Sequence, residues 1–172
     1  MTRRELGGLP FIAEDLGLIT PDVHALRDRF HLPGTRVLQF AFDGKMDNPH
    51  LPQNYNSNTV VYTGTHDNPT TREWCDELPD SQRQFLWRYL KLTEGRNTDV
   101  APALIELAWS SAAALAIVPL QDVLNLGAEA RMNVPGRPEG NWRWRCPENN
   151  LSAPEIEWLR ELTKASNRSA GA

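Results

Sequence analysis

Cysteine is scarce in this 172-residue chain: there are two, Cys75 and Cys146, far apart in sequence. They make neither a disulfide framework nor a zinc-ligand spacing, and they read as free thiols of a reducing compartment, so a cytoplasmic location is expected. An excess of positive charge is also missing. The net charge is -4, the pI about 5.6, and the basic residues are scattered apart from Arg3-Arg4. That leaves no electrostatic footprint for nucleic acid or an anionic membrane surface. No long unbroken apolar run occurs. The best candidate, "VAPALIELAWSSAAALAIVPL", is interrupted by Glu106 and two serines and reads as a buried helix running into a strand. "MTRRELGGLPF" carries basic residues with only a very short apolar run, so no signal peptide is expected. No internal repeat is visible.

What remains is 40% hydrophobic, with 13 prolines and six tryptophans. This length and composition suit one domain with one sizeable core. Tryptophans suit flat apolar ligand faces such as sugar rings, although core and interface packing explains any single one more often. "LPFIA" (9 to 13) reads as a buried parallel strand ending near Ala13. Thr20 then caps a helix with Pro21 at its first position, and Val23, Leu26 and Phe30 share one face of it. "HLPG" stops that helix. "TRVLQFAF" (35 to 42) is the second strand, followed by a long polar loop of the kind that often carries function. "TVVYTGTHDN" (59 to 68) is the third strand. Helices are expected from "TTREWCDEL", "PDSQRQFLWRYLKL" and "VAPALIELAWSSAAA", and "LAIVPL" (115 to 120) is the fourth strand. An irregular Gly-, Asn- and Pro-rich segment precedes a last amphipathic helix with Ile156, Leu159 and Leu162 on one face. Residues 167–172 are expected to fray.

Alternating apolar strands and helices define an α/β fold with a parallel sheet. Polar clusters follow three of the four strands: Glu14-Asp15, Thr65-His66-Asp67-Asn68 and Gln121-Asp122. Function collects at the carboxyl ends of strands in barrels and open sheets alike, which puts the clusters on one rim. Two carboxylates flanking an acetal are what glycoside chemistry requires, one to protonate the leaving oxygen and one to attack or stabilise. Pattern alone favours a blander reading, in which Glu14-Asp15 is a helix-initiating or turn device and His66 a hydrogen-bonded structural histidine. A metal site at His66-Asp67 is not expected, because no further ligand lies at suitable spacing.

The blocks "LPFIAEDLGLITPDVHALRDRF", "PGTRVLQFAF", "VVYTGTHDNPTT", "PLQDVLNLG", "EARMNVPG" and "GNWRWR" resemble, in order, the C-terminal part of 4-alpha-glucanotransferases. These are the amylomaltases or disproportionating enzymes of glycoside hydrolase family 77. The resemblance runs from about residue 6 to about residue 165. It implies the C-terminal half, strands five to eight, of a (β/α)8 barrel occupying residues 1–172. It further implies retaining transfer of α-1,4-glucan segments between maltooligosaccharides, with no cofactor or metal. By the same resemblance Glu14 is the general acid/base and Asp67 the transition-state-stabilising carboxylate. His66, Asn68, Asp15 and Trp142 are carried over as substrate-binding residues.

The family's nucleophile is an Asp in an Arg-x-Asp-His-Phe motif after the fourth strand, and this sequence does not contain that motif. "ALRDRF" has an Arg and an Asp but follows Glu14. A complete barrel takes about 250 residues. The chain is therefore expected to be inactive alone, and to self-associate or pair with an N-terminal half-barrel. The alternative is a non-catalytic glucan-binding or assembly module that complements such a half. Two departures from the family pattern, Pro69 and Cys75, lie beyond Asp67 and are expected to tune the loop only.

Overall fold

The computed structural model describes residues 10–93, 95–147 and 153–169. Its centre is a parallel sheet of strands β1 (Gly34–Val37), β2 (Thr59–Tyr62) and β3 (Leu115–Ile117), in that order. Thr35 lies opposite Val60, and Val61 opposite Ala116. Successive side chains on a strand point to opposite faces, and Val60 and Val61 are both buried. The middle strand is thus covered on both sides, as a parallel strand requires.

The first described helix, α1 (Pro21–Arg29), precedes β1; α2 (Thr71–Glu77), α3 (Asp80–Leu90) and α4 (Val100–Trp109) lie between β2 and β3. The Thr70 hydroxyl caps α2 by accepting from the Glu73 N–H at 3.3 Å, which satisfies one of the orphan donors of the first turn. In α4 the residues Val100, Ala101, Leu104, Ile105 and Ala108 are fully buried, a spacing that fills one helical face. Of these, Val100, Leu104 and Ala108 share a core cluster with Leu38, Leu51, Val61, Cys75 and Leu86. Phe42 anchors the same core against Trp74, Phe85 and Tyr89, at ring distances of 5.9, 6.3 and 5.6 Å. After β3 come the single-turn helix α5 (Leu120–Val123) and the closing helix α6 (Ala153–Ala165). The Trp109 indole N–H donates to Thr163 Oγ1 at 3.0 Å and joins α6 to α4. Within the segment expected to fray, Arg168 donates to the carbonyls of Trp109 and Ser111 at 2.6 and 2.8 Å. Residues 170–172 lie outside the described residues.

Of the four expected strands, three are present and shorter than the apolar runs that suggested them. β1 ends where Leu38–Phe40 tighten into a 3-10 turn, and β3 ends where Pro119 introduces α5. The fourth, at 9 to 13, is reduced to one bridge. The Ala13 N–H donates to the Pro33 carbonyl at 2.9 Å and Ala13 pairs with Gly34. Phe11 and Ile12 are 49% and 44% exposed, where burial was expected; Leu9 lies outside the described residues. The reason is visible on the edge of β1. Its Thr35 N–H donates to Asp15 Oδ1 at 2.6 Å and its Val37 N–H to His50 Nδ1 at 3.1 Å. Side chains, not a strand, satisfy that edge.

Helix α1 begins after Thr20 with Pro21 at its first position, but the Thr20 hydroxyl makes no capping bond. Val23, Leu26 and Phe30 are exposed. The helix is held instead by Arg27, whose guanidinium reaches Asp15 at 2.5 Å.

Gly64, just past β2, has no room for a side chain: a Cβ there would stand 2.6 Å from Gln39 Nε2. That amide nitrogen donates to the Pro69 carbonyl at 3.0 Å, so it braces the loop between them. Gly64→Ala is expected to cost about 1–3 kcal/mol by overpacking, read as a lowered thermal midpoint. A midpoint unchanged from the parent chain would show that Gln39 moves aside freely.

Candidate functional site

The carboxyl ends of the strands open into a cavity of about 1150 Å³. Glu14 enters it from the segment bridged to β1, Tyr62 from the end of β2, and His66, Asp67 and Asn68 from the turn after β2. Gln121 and Asp122 line it from α5, and Trp142 from the last irregular segment.

The turn carrying Asp67 is tied by local hydrogen bonds. Asn68 Oδ1 accepts from the Thr65 N–H at 2.9 Å and from the Thr65 hydroxyl at 2.8 Å. The Asn68 carbonyl oxygen is thereby committed to Thr65, through its backbone and its side chain. Asp67 Oδ1 accepts from Asn133 Nδ2 at 2.6 Å and lies 3.3 Å from His66 Nε2. Among the described residues, Oδ2 of Asp67 carries no partner and stays available to a ligand. The indole of Trp142 lies against His66, with ring centroids 5.2 Å apart and planes at 38°.

Trp142 is held in a left-handed backbone conformation, φ 61°, which is costly for a bulky side chain. Two sets of bonds hold it there. The Trp142 N–H donates to the Met132 carbonyl at 2.7 Å. Asn141 brackets the loop by accepting from the Val134 N–H and donating to the Arg137 carbonyl, at 3.0 and 2.8 Å. The loop is fastened to α2 through Arg131, which donates to Glu73 Oε1 and to the Asn133 carbonyl, each at 3.1 Å. Glu73, Arg131 and Asn133 thus form a chain ending on Asp67. None of the three stood out in the sequence, because Asn133 and Asp67 are distant along the chain. The only signal was the polar segment "EARMNVPG", one of the blocks that carry the family resemblance.

Asp15 corrects an expectation. Its side chain is 2% exposed and does not line the cavity. Oδ1 accepts from the Thr35 N–H, while Oδ2 takes Arg27 at 2.5 Å and Arg36 at 3.3 Å. Buried behind these three donors, the carboxylate is not presented to a sugar in the cavity. Glu14 is exposed and lines the cavity, whereas the adjacent Asp15 is turned into the protein. Burial works to raise the Asp15 pKa, but the Thr35 N–H, the Arg36 charge and the Arg27 bond outweigh it and hold it below the ordinary carboxylate value.

Burial, then the charge of Glu14, raises the Tyr62 hydroxyl pKa, so a neutral phenol stands in the field of Glu14. Burial raises the Asp122 carboxyl against the lowering effect of its bonds from Thr63 and Thr71. These bonds are 2.6 Å from the Thr63 hydroxyl, and 2.8 Å from both the Thr71 N–H and its hydroxyl. They staple β2, α2 and α5 together. Among the described residues no group of three His, Cys, Asp or Glu side chains is arranged for a metal. No described helix is long and apolar enough to cross a membrane.

His50 also lines the cavity. Burial, then the nearby Arg36 charge, pushes its pKa down to about 4, against the opposing charges of Asp15 and Asp43. A histidine depressed in the folded state contributes stability that is present above its unfolded value of 6.5 and is lost as pH falls toward 4. Urea unfolding between pH 7 and pH 4 should therefore show a decline that His50→Asn, which does not titrate, lacks. Parallel profiles for the two proteins would contradict the assignment.

A cavity at the carboxyl ends of parallel strands, carrying an exposed Glu, an Asp–His pair and a stacked Trp, defines a candidate carbohydrate-active site. The family comparison identifies it further. The 4-alpha-glucanotransferase model matches residues 1–151, and the chain belongs to that family. It is 52% identical over 167 residues to the 4-alpha-glucanotransferase of Thermus thermophilus, covering 94% of this chain and 33% of that protein. It is 53% identical over 152 residues to the enzyme of Synechocystis sp., covering 88% of this chain and 29% of that protein. Among solved structures it resembles the amylomaltase of Streptococcus agalactiae in complex with acarbose, with a TM-score of 0.91 and 30% identity. That match covers 98% of this chain and 34% of the amylomaltase. The chain therefore spans about a third of the length of the curated relatives it matches.

Proposed function

We propose that this chain carries the acid/base and stabilising carboxylates of a 4-alpha-glucanotransferase, and transfers glucan only together with the upstream segment its relatives possess. In this reading the bridged segment around Ala13 and strands β1 to β3 correspond to strands five to eight of an alpha-amylase-type barrel. The observation that carries the proposal is the convergence of Glu14 and Asp67 on one cavity in a member of this family.

Glu14, exposed at the cavity wall, protonates the departing glycosidic oxygen as the C–O bond breaks. It then takes a proton from the incoming 4-hydroxyl of the acceptor glucan as the new bond forms. The upstream segment supplies the nucleophilic carboxylate that holds the glycosyl group between these steps. Asp67 uses its free Oδ2 to accept from sugar hydroxyls of the donor residue, and those bonds strengthen as oxocarbenium character develops. His66 orients the same sugar, and Trp142 packs on His66 rather than offering its open face first. The substrate class is maltooligosaccharide or α-1,4-glucan, in keeping with the acarbose bound to the Streptococcus agalactiae amylomaltase.

The exposed apolar residues Phe11, Ile12, Val23 and Leu26 form the surface on which the upstream segment would close the barrel. The test is maltotriose incubated with the purified, folded chain, alone and co-expressed with the remaining two thirds of the Thermus thermophilus relative. Alone, no glucose or longer oligosaccharide is expected. Together, both should appear. Disproportionation by the chain alone would mean that a carboxylate within it serves as nucleophile, and the half-site reading would be wrong.

A further inference from the structure

His50, at the cavity wall, has one ring nitrogen engaged and the other, among the described residues, open. Its Nδ1 accepts a hydrogen bond from the Val37 N–H at 3.1 Å. A nitrogen that accepts from a backbone amide cannot itself carry a proton, so the neutral ring must hold its proton on Nε2. Nε2 has no acceptor among the described residues, and the ring lines the cavity. Its orientation is fixed from three sides. Val37 holds one nitrogen. Phe40, also at the cavity wall, meets the ring edge-to-face at 5.5 Å. The His50 N–H is turned in by Asn48 Oδ1 at 2.8 Å, and its carbonyl accepts from the Tyr55 hydroxyl at 2.6 Å.

We propose that His50 is a glucan-binding residue, its Nε2–H donating to a sugar hydroxyl in the cavity while its Nδ1 serves as a structural acceptor for the edge of β1. The proposal rests on the glucan reading of the cavity. Because the ring stays neutral over the physiological range, it offers one donor in one direction and no charge. That suits a hydroxyl oxygen and not an anion. Phe40 beside it supplies an apolar surface for the C–H face of the same pyranose ring.

Two substitutions separate the two nitrogens. In His50→Asn the side-chain oxygen reaches the position of Nδ1 and preserves the bond to Val37, but nothing replaces Nε2–H. In His50→Gln the amide nitrogen reaches toward Nε2, and the Val37 acceptor is lost. Maltoheptaose binding by calorimetry, with thermal unfolding alongside, reads both. His50→Asn should keep the thermal midpoint of the parent and bind about 10-fold more weakly, the scale of one hydrogen bond. His50→Gln should unfold earlier and keep affinity within about 3-fold. Parent-like binding by folded His50→Asn would overturn the role of His50 and leave the glucan reading intact. Failure of the parent chain to bind maltoheptaose when the upstream segment is supplied would overturn both. Should the variants misfold, the parent chain still decides. With labelled histidine, the imidazole spectrum should show His50 as the Nε2–H tautomer, with an Nε2 resonance that shifts on saturation with maltoheptaose. A resonance that does not move overturns the proposal.

Discussion

With the upstream segment supplied, Glu14→Gln should lower transfer from maltotriose by about 10²- to 10⁴-fold, the usual contribution of a general acid–base group. The same variant should attack α-maltotriosyl fluoride almost as fast as the parent. Fluoride leaves without protonation, so the first displacement does not need the acid. The second step does need the base, since the carboxamide in Glu14→Gln cannot take the proton of the incoming hydroxyl. The glycosyl-enzyme should therefore accumulate, visible as a burst of about one fluoride per site followed by slow turnover. Asp67→Asn should behave differently. Its carboxylate acts on the charge of the transition state in both steps, so the substitution should slow maltotriose and the fluoride alike. The two variants together assign the roles. A fluoride burst in Glu14→Gln slowed as much as its transfer from maltotriose would remove Glu14 from proton transfer and leave it a positioning group.

The fold was legible where burial is local and obscure where it depends on a partner. Val60 and Val61 announced a strand covered on both faces, and the 100–108 segment announced a buried helix, because in each case the covering elements lie within this chain. The run ending at Ala13 looks equally apolar, yet it forms one bridge. An apolar pattern records that a segment is suited to burial, not that its partner is present. Val23, Leu26 and Phe30 make the same point on α1: a helical face is written there, with no described element against it. Around the cavity, Glu14, His66, Asp67, Asn68 and Trp142 could be named from motifs because each lies in a distinctive block. Asn133 reaches Asp67 only through folding, with Arg131 behind it, and the block "EARMNVPG" marks the segment without marking that contact. Asp15, carried over by the resemblance, is buried against Thr35, Arg27 and Arg36 and does not line the cavity, a difference from Glu14 that only the fold reveals.

Its burial against two guanidinium groups makes Asp15 a sensitive position for folding. Asp15→Ala should destabilise the chain by about 3–5 kcal/mol at pH 7, the scale for removing one member of a buried ion pair. Three donors lose their acceptor at once: the Thr35 N–H, Arg27 and Arg36. Arg27 is also the described tie between α1 and the sheet region, so α1 should lose hydrogen-exchange protection before the rest. Urea unfolding gives the magnitude, with the denaturant slope checking that the comparison stays two-state. Acid should erase the difference. Because the folded pKa of Asp15 lies below its ordinary value of 3.8, its contribution is present above that value and disappears as pH falls through the lower, folded one. The gap between the parent and Asp15→Ala should therefore be widest near neutrality and narrow steadily below about pH 4. Arg27→Ala should cost less, since Asp15 keeps Thr35 and Arg36, and its effect should not add to that of Asp15→Ala. A loss under about 1 kcal/mol for Asp15→Ala at pH 7 would place the pair among surface bridges of little consequence and leave α1 held by something other than Asp15.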